Sequence, residues 1–131
     1  MSFSAYLVGT WEKRFGIQTS LQIINPTLDY LEVTVAFLDS NEEFLKCVHS
    51  KEPLSPNKLW EVNTPALDEK FGVVKIISHV GQEVKPGIVG FQRHALVVPS
   101  AQEVAFSEAP LAAVPMEYAQ AEYNRFMEKC F

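Results

Sequence analysis

The sequence has little of what usually announces chemistry. It holds two cysteines, Cys47 and Cys130, in 131 residues, too few for a disulfide framework. Its three histidines, His49, His79 and His94, stand apart, and only Cys47-x-His49 sets two soft ligands close together. A zinc site draws on about three or four ligands, so the pattern predicts no metal site and no cofactor. The plain reading is a buried Cys47 thiol beside an exposed His49 near a turn. There is no Gly-x-Ser-x-Gly, no Walker-type phosphate loop and no His-Glu-x-x-His. The acidic pairs Glu42-Glu43 and Asp68-Glu69 fall in polar stretches without a calcium-loop pattern and read as solvated. Together these absences make a non-enzymatic protein the expectation.

Charge of one sign is also missing as a patch. Eleven basic and sixteen acidic residues leave a net charge of -5, and Lys13-Arg14 is the only adjacent basic pair. Phosphate recognition needs a basic stripe, so nucleic acid is not the expected partner. No apolar run approaches the roughly eighteen residues of a membrane-spanning helix. Met1-Ser2-Phe3-Ser4-Ala5-Tyr6 lacks the charged start of a secretory signal, and Trp11-Glu12-Lys13-Arg14 interrupts the apolar stretch. The expectation is a cytoplasmic protein with two reduced cysteines.

What is present is strand patterning. The chain is 47% hydrophobic, enough for one domain with a sizeable core. Residues 5–11 read as a first strand in which Gly9 marks a weak point or bulge. In 18–25, Thr19, Leu21 and Ile23 share one face and Ile24 lies on the other, before Asn25-Pro26 stops the strand. The clearest alternation is Tyr30 to Leu38, with Leu31, Val33, Val35 and Phe37 on one face. Phe44–His49 can return as its hairpin partner. Trp60 and Val62 mark a short strand over 59–63. Residues 72–78 are apolar on both faces except at Lys75, which suggests a central strand covered on both sides. Val80–Gly87 reads as a flexible connector and Ile88–Val98 as a further extended segment. The fold class is therefore all-β, mainly an antiparallel β-sandwich.

The period changes near the end. Met116, Ala119, Tyr123, Phe126 and Cys130 recur in steps of three and four, the spacing of one helix face. Pro115 suits a first helical position, and Glu117 and Lys129 complement the helix dipole. Glu122, Asn124, Arg125 and Glu128 form the polar side. The chain divides into a sandwich over 1–112 and one short C-terminal α-helix over 113–131, either part of the same domain or an association element. Its stripe covers its own sheet or a second chain.

The order Ile23-Ile24-Asn25-Pro26, Leu31-Glu32-Val33-Thr34-Val35-Ala36-Phe37, Leu54-Ser55-Pro56-Asn57 and Trp60-Glu61-Val62 continues into Phe71-Gly72-Val73-Val74-Lys75-Ile76-Ile77-Ser78. This strand-and-turn pattern over about residues 18–95 resembles small bacterial β-sandwich modules, and in particular the soluble sensory rhodopsin transducer family. The resemblance implies an oligomeric sandwich that binds partners and has no catalytic centre; family members are tetrameric signalling partners of a membrane photoreceptor. A C-terminal helix departs from that pattern. The functional expectation is a protein-interaction or assembly module, a homo-oligomer with a signalling or scaffold role and a further protein partner. The competing expectation is a small-molecule-binding or enzymatic domain with a pocket formed by His79, Arg93 and His94.

Overall fold

The computed structural model describes residues 4–100 and 103–131. Among the described residues ten strands precede one α-helix: β1 (Tyr6–Glu12), β2 (Ile17–Ile24), β3 (Glu32–Leu38), β4 (Phe44–His49), β5 (Leu59–Asn63), β6 (Phe71–Val80), β7 (Glu83–Val84), β8 (Val89–Val97), β9 (Glu103–Pro110), β10 (Ala112–Ala113) and α1 (Ala119–Cys130). They form two antiparallel sheets. The larger runs β10-β1-β6-β3-β4, with β7 hairpinned onto the end of β6, and the smaller runs β5-β2-β8-β9. The architecture is a β-sandwich with a single short C-terminal helix.

The inner faces of the two sheets make one core. Leu31, Val33, Val35 and Phe37 from β3 and the residue before it meet Leu21 and Ile23 of β2, Val74 and Ile76 of β6, and Trp11 of β1. The alternation of these positions brings every second side chain inward. Trp11 packs edge-on to Phe37 and its indole N–H donates to the Leu38 carbonyl at 2.7 Å. Gly72 lies against the same carbonyl and the Trp11 ring, where a Cβ would collide with both. Gly9 does not bulge; it pairs in regular register with Val74 and makes room for the Leu111 and Gln92 side chains.

The outer face of the larger sheet is apolar too. Tyr6, Ala36, Leu38 and Ile77 are buried there under Ala119, Tyr123 and Phe126 of α1. This second cluster explains the run of β6: Val74 and Ile76 face the sandwich core while Val73 and Ile77 face the helix. The helix stripe thus packs on its own chain. Burying such side chains contributes about 1.5–3 kcal/mol each, so the contact is a substantial part of the fold.

Three local expectations change. The helix is entered through a 3₁₀ turn, Met116–Tyr118, and Pro115 lies outside it with an extended ψ of 143°. Met116 is therefore partly exposed, at 38%. Val80–Gly87 is a hairpin rather than a loose connector, because Val84 and Glu83 pair with His79 and Val80. Glu122 belongs to the buried side of the helix, at 8% exposure, where Lys75 of β6 meets it.

Candidate functional site

The buried lysine is the first unusual group. Lys75 can stand among the apolar residues of β6 because its ammonium is paired with carboxylates from two other elements. Nζ lies 3.1 Å from Glu122 Oε1 on α1 and 3.0 Å from Glu42 Oε1 in the β3–β4 turn, and the Tyr6 phenol is electrostatically coupled to it. Burial acts to lower its pKa, but the hydrogen bonds to Glu42 and Glu122 outweigh that and raise it. The same bond from Lys75 lowers the Glu42 carboxyl. Burial first, and then the Glu122 charge, raise the Tyr6 phenol. Among the described residues no buried side-chain nitrogen or oxygen lacks a partner. A lysine so completely paired is an anchor for the helix rather than a base or nucleophile.

The end of the helix is pinned by a second device. Cys47 on β4 and Cys130 in the last turn form a disulfide with their Cα atoms 5.6 Å apart. The two separate thiols expected from the sequence are thus joined, because the sandwich brings the edge of its larger sheet to the helix terminus within disulfide reach. Beside it, His49 Nε2 donates to the Cys130 carbonyl at 3.2 Å and Nδ1 accepts from the Thr34 hydroxyl at 3.0 Å. The His49 and His79 rings both contact Phe131, at 4.7 and 6.0 Å between centroids. His79 Nδ1 donates to the Gly81 carbonyl at 2.9 Å, and the same carbonyl accepts the Tyr123 hydroxyl at 2.9 Å. Burial, and then the charge of Glu32, raise the Tyr123 phenol.

The three residues expected to share a pocket are held apart. His79 lies on the larger sheet and borders a small hollow of about 140 Å³ with His49 and Phe131. Arg93 and His94 are neighbours on β8 of the smaller sheet, so their side chains leave by opposite faces. His94 Nδ1 is 2.8 Å from the Thr19 hydroxyl. Arg93 faces outward between two carboxylates of β9, forming a short ion pair with Glu103 and a 3.3 Å contact with Glu108. Among the described residues no cluster of histidine, cysteine and carboxylate could hold a metal ion.

Arg93 belongs instead to a broad open face. Strand register places Gln18, Ser20 and Gln22 of β2 beside Ala95, Arg93 and Phe91 of β8. On β9, Phe106, Glu108 and Pro110 continue the same three rows. The guanidinium lies 4.2 Å from the Phe106 ring centroid, a cation–π contact. Beside it is a polar hollow of about 240 Å³ lined by Lys13, Gln18, Ser20, Glu61, Asn63 and Arg93, among others. The strand β9 is exposed from Glu103 through Glu108 on both faces, with Val104 at 56% and Phe106 at 59%. Among the described residues it pairs with β8 alone and ends the smaller sheet.

This strand went unread in the sequence. Glu-Val-Ala-Phe-Ser-Glu-Ala-Pro lacks a sustained apolar alternation, because neither face is buried. The signal that remained was a lysine-free run bearing Val104 and Phe106.

No protein-family model and no curated protein matches the sequence. The chain is similar in structure to Thermotoga maritima 1070, known from its crystal structure, with a TM-score of 0.58 over 87% of this chain and 97% of that one. The identity is 15%, so the likeness establishes the fold, a sandwich arrangement common to both chains, and leaves function to the site itself.

Proposed function

We propose that this chain is a non-catalytic interaction module that self-associates through the β9 edge of its smaller sheet. The observation that carries the proposal is the exposure of β9. Sheet edges offer unpaired N–H and C=O groups and are ordinarily shortened, covered or studded with lysine. With eight residues β9 is longer than the other end strands, β4 with six, β5 with five and β10 with two. Its register shift and Pro110 lie at opposite ends, leaving the middle free to pair. The two carboxylates that would repel a second copy are drawn across the outer face toward Arg93 on β8. Val104 and Phe106 supply apolar area for the contact.

The resemblance to the sensory rhodopsin transducer family supports the same reading. It carries with it a cytoplasmic signalling or scaffold role and a further protein partner. The second copy pairs antiparallel along β9, as sheet edges do in strand addition.

The test is the mass in solution by light scattering across a concentration series. The full chain is compared with a Val104→Lys, Phe106→Lys variant whose circular dichroism confirms folding. An oligomer that falls to monomer in the variant supports the proposal. A wild-type monomer at every concentration, or an oligomer indifferent to both lysines, defeats it.

A further inference from the structure

The disulfide joins two segments that need no covalent link to find one another. The sandwich core lies between the sheets and contains no residue of α1. The helix is a separate cluster on the outer face of the larger sheet, attached to the sandwich through β10 at its start. Without the Cys47–Cys130 bond the last turn of α1 keeps non-covalent contacts, the His49–Cys130 hydrogen bond and the Phe131 ring packing among them. With the bond, 83 residues apart in sequence, the helix is fastened at both ends.

We propose that Cys47–Cys130 is a redox latch that controls whether α1 can lift from the sheet. Three features set it apart from a staple of the whole fold. Both cysteines are only half-buried, and β4 is an end strand, so the bond lies at the sheet edge rather than inside the core. The bond clips the last turn of α1 to that edge rather than crossing the core. Opening it has a defined consequence, since Tyr6, Ala36, Leu38 and Ile77 lie directly beneath the helix. The helix is then retained by Phe126, Tyr123 and the Lys75–Glu122 pair, which can open locally without unfolding the sandwich.

The chemistry is thiol–disulfide exchange with a dithiol. One thiolate of the dithiol attacks a protein sulfur, the protein S–S bond breaks, and the departing cysteine thiolate takes a proton. The second dithiol sulfur then attacks the mixed disulfide, releasing the other cysteine. The protein disulfide is reduced to two thiols and the dithiol is oxidised to its disulfide, two electrons in all. The lifted helix exposes an apolar face carrying the Lys75 ammonium.

Hydrogen exchange on the full chain tests this, comparing the oxidised protein, the protein treated with dithiothreitol, and a Cys47→Ser, Cys130→Ser variant. In the oxidised protein the amides of α1 are expected to exchange at the slow level of β3 and β6. After reduction, and in the double variant, they should exchange at least about tenfold faster than those strands, as a separate opening unit. Reoxidation by glutathione disulfide should restore the slow exchange. If helix and strands accelerate together, the bond is a staple of the whole fold and the proposal fails. Resistance to excess dithiothreitol without denaturant also overturns it.

Discussion

Replacing Glu122 by glutamine tests whether the helix is held by the buried ion pair. The substitution preserves shape but removes the charge 3.1 Å from Lys75 Nζ, leaving an ammonium only 5% exposed. Removing one partner of a buried pair costs about 3–5 kcal/mol. Lys75 keeps Glu42, whose side chain is 58% exposed and therefore screened. The loss should fall to about 2–3 kcal/mol, or about a 10 °C lower Tm. Urea unfolding followed by circular dichroism measures it. Replacing both partners, Lys75→Met with Glu122→Leu, removes the charges together and should return to within about 1 kcal/mol of the wild type. With Lys75→Met and Glu122→Leu also made singly, the double-mutant cycle should give a coupling of about 2–3 kcal/mol. A Glu122→Gln loss below about 0.5 kcal/mol would refute the reasoning and show that apolar packing alone holds the helix.

Phe126→Ala should cost about 3–5 kcal/mol in the same assay, because the ring is fully buried against the sheet and leaves a cavity. Gly72→Ala should destabilise by about 2–4 kcal/mol, since its Cβ would meet the Leu38 carbonyl and the Trp11 indole nitrogen, both backbone-fixed or core-packed. Stability should fall at both ends of the pH range. Glu42 has its folded pKa lowered by the hydrogen bond from Lys75, so its contribution is present above about pH 4–5 and lost as pH falls through the folded value. Lys75 and Tyr6 have theirs raised, so their contribution is complete below about pH 10 and lost as pH rises through the folded values. Urea midpoints across pH should show both arms, and Lys75→Met should weaken the alkaline one.

The strands legible in the sequence were those with one face in the core. Leu31, Val33, Val35 and Phe37 alternate because every second residue meets the opposite sheet, and the double-sided run of β6 announced a strand covered twice. The cover on its second side was the helix itself, whose stripe was visible but whose destination was not. Periodicity reports that a face is buried and is silent about what buries it. Lys75 and Glu122 were opaque for a related reason: Lys75 stood alone in an apolar run, Glu122 read as part of the polar side of the helix, and only their meeting explains both. The disulfide depended on a contact 83 residues apart in sequence, which no local pattern encodes. The face around β9 escaped because exposure on both sides erases the alternation that strand reading uses. Candidate residues chosen by chemical type, His79, Arg93 and His94, were divided between two sheets and two faces. Side-chain chemistry without strand register gives no proximity.

The most direct test of self-association through β9 is amide exchange along Glu103–Pro110 as a function of protein concentration. Antiparallel pairing with a second copy would protect the unpaired amides of β9 as concentration rises, while α1, packed on its own sheet, keeps the same exchange throughout. That result is the one predicted. Exchange in β9 that stays fast and unchanged from dilute to concentrated protein would contradict the account.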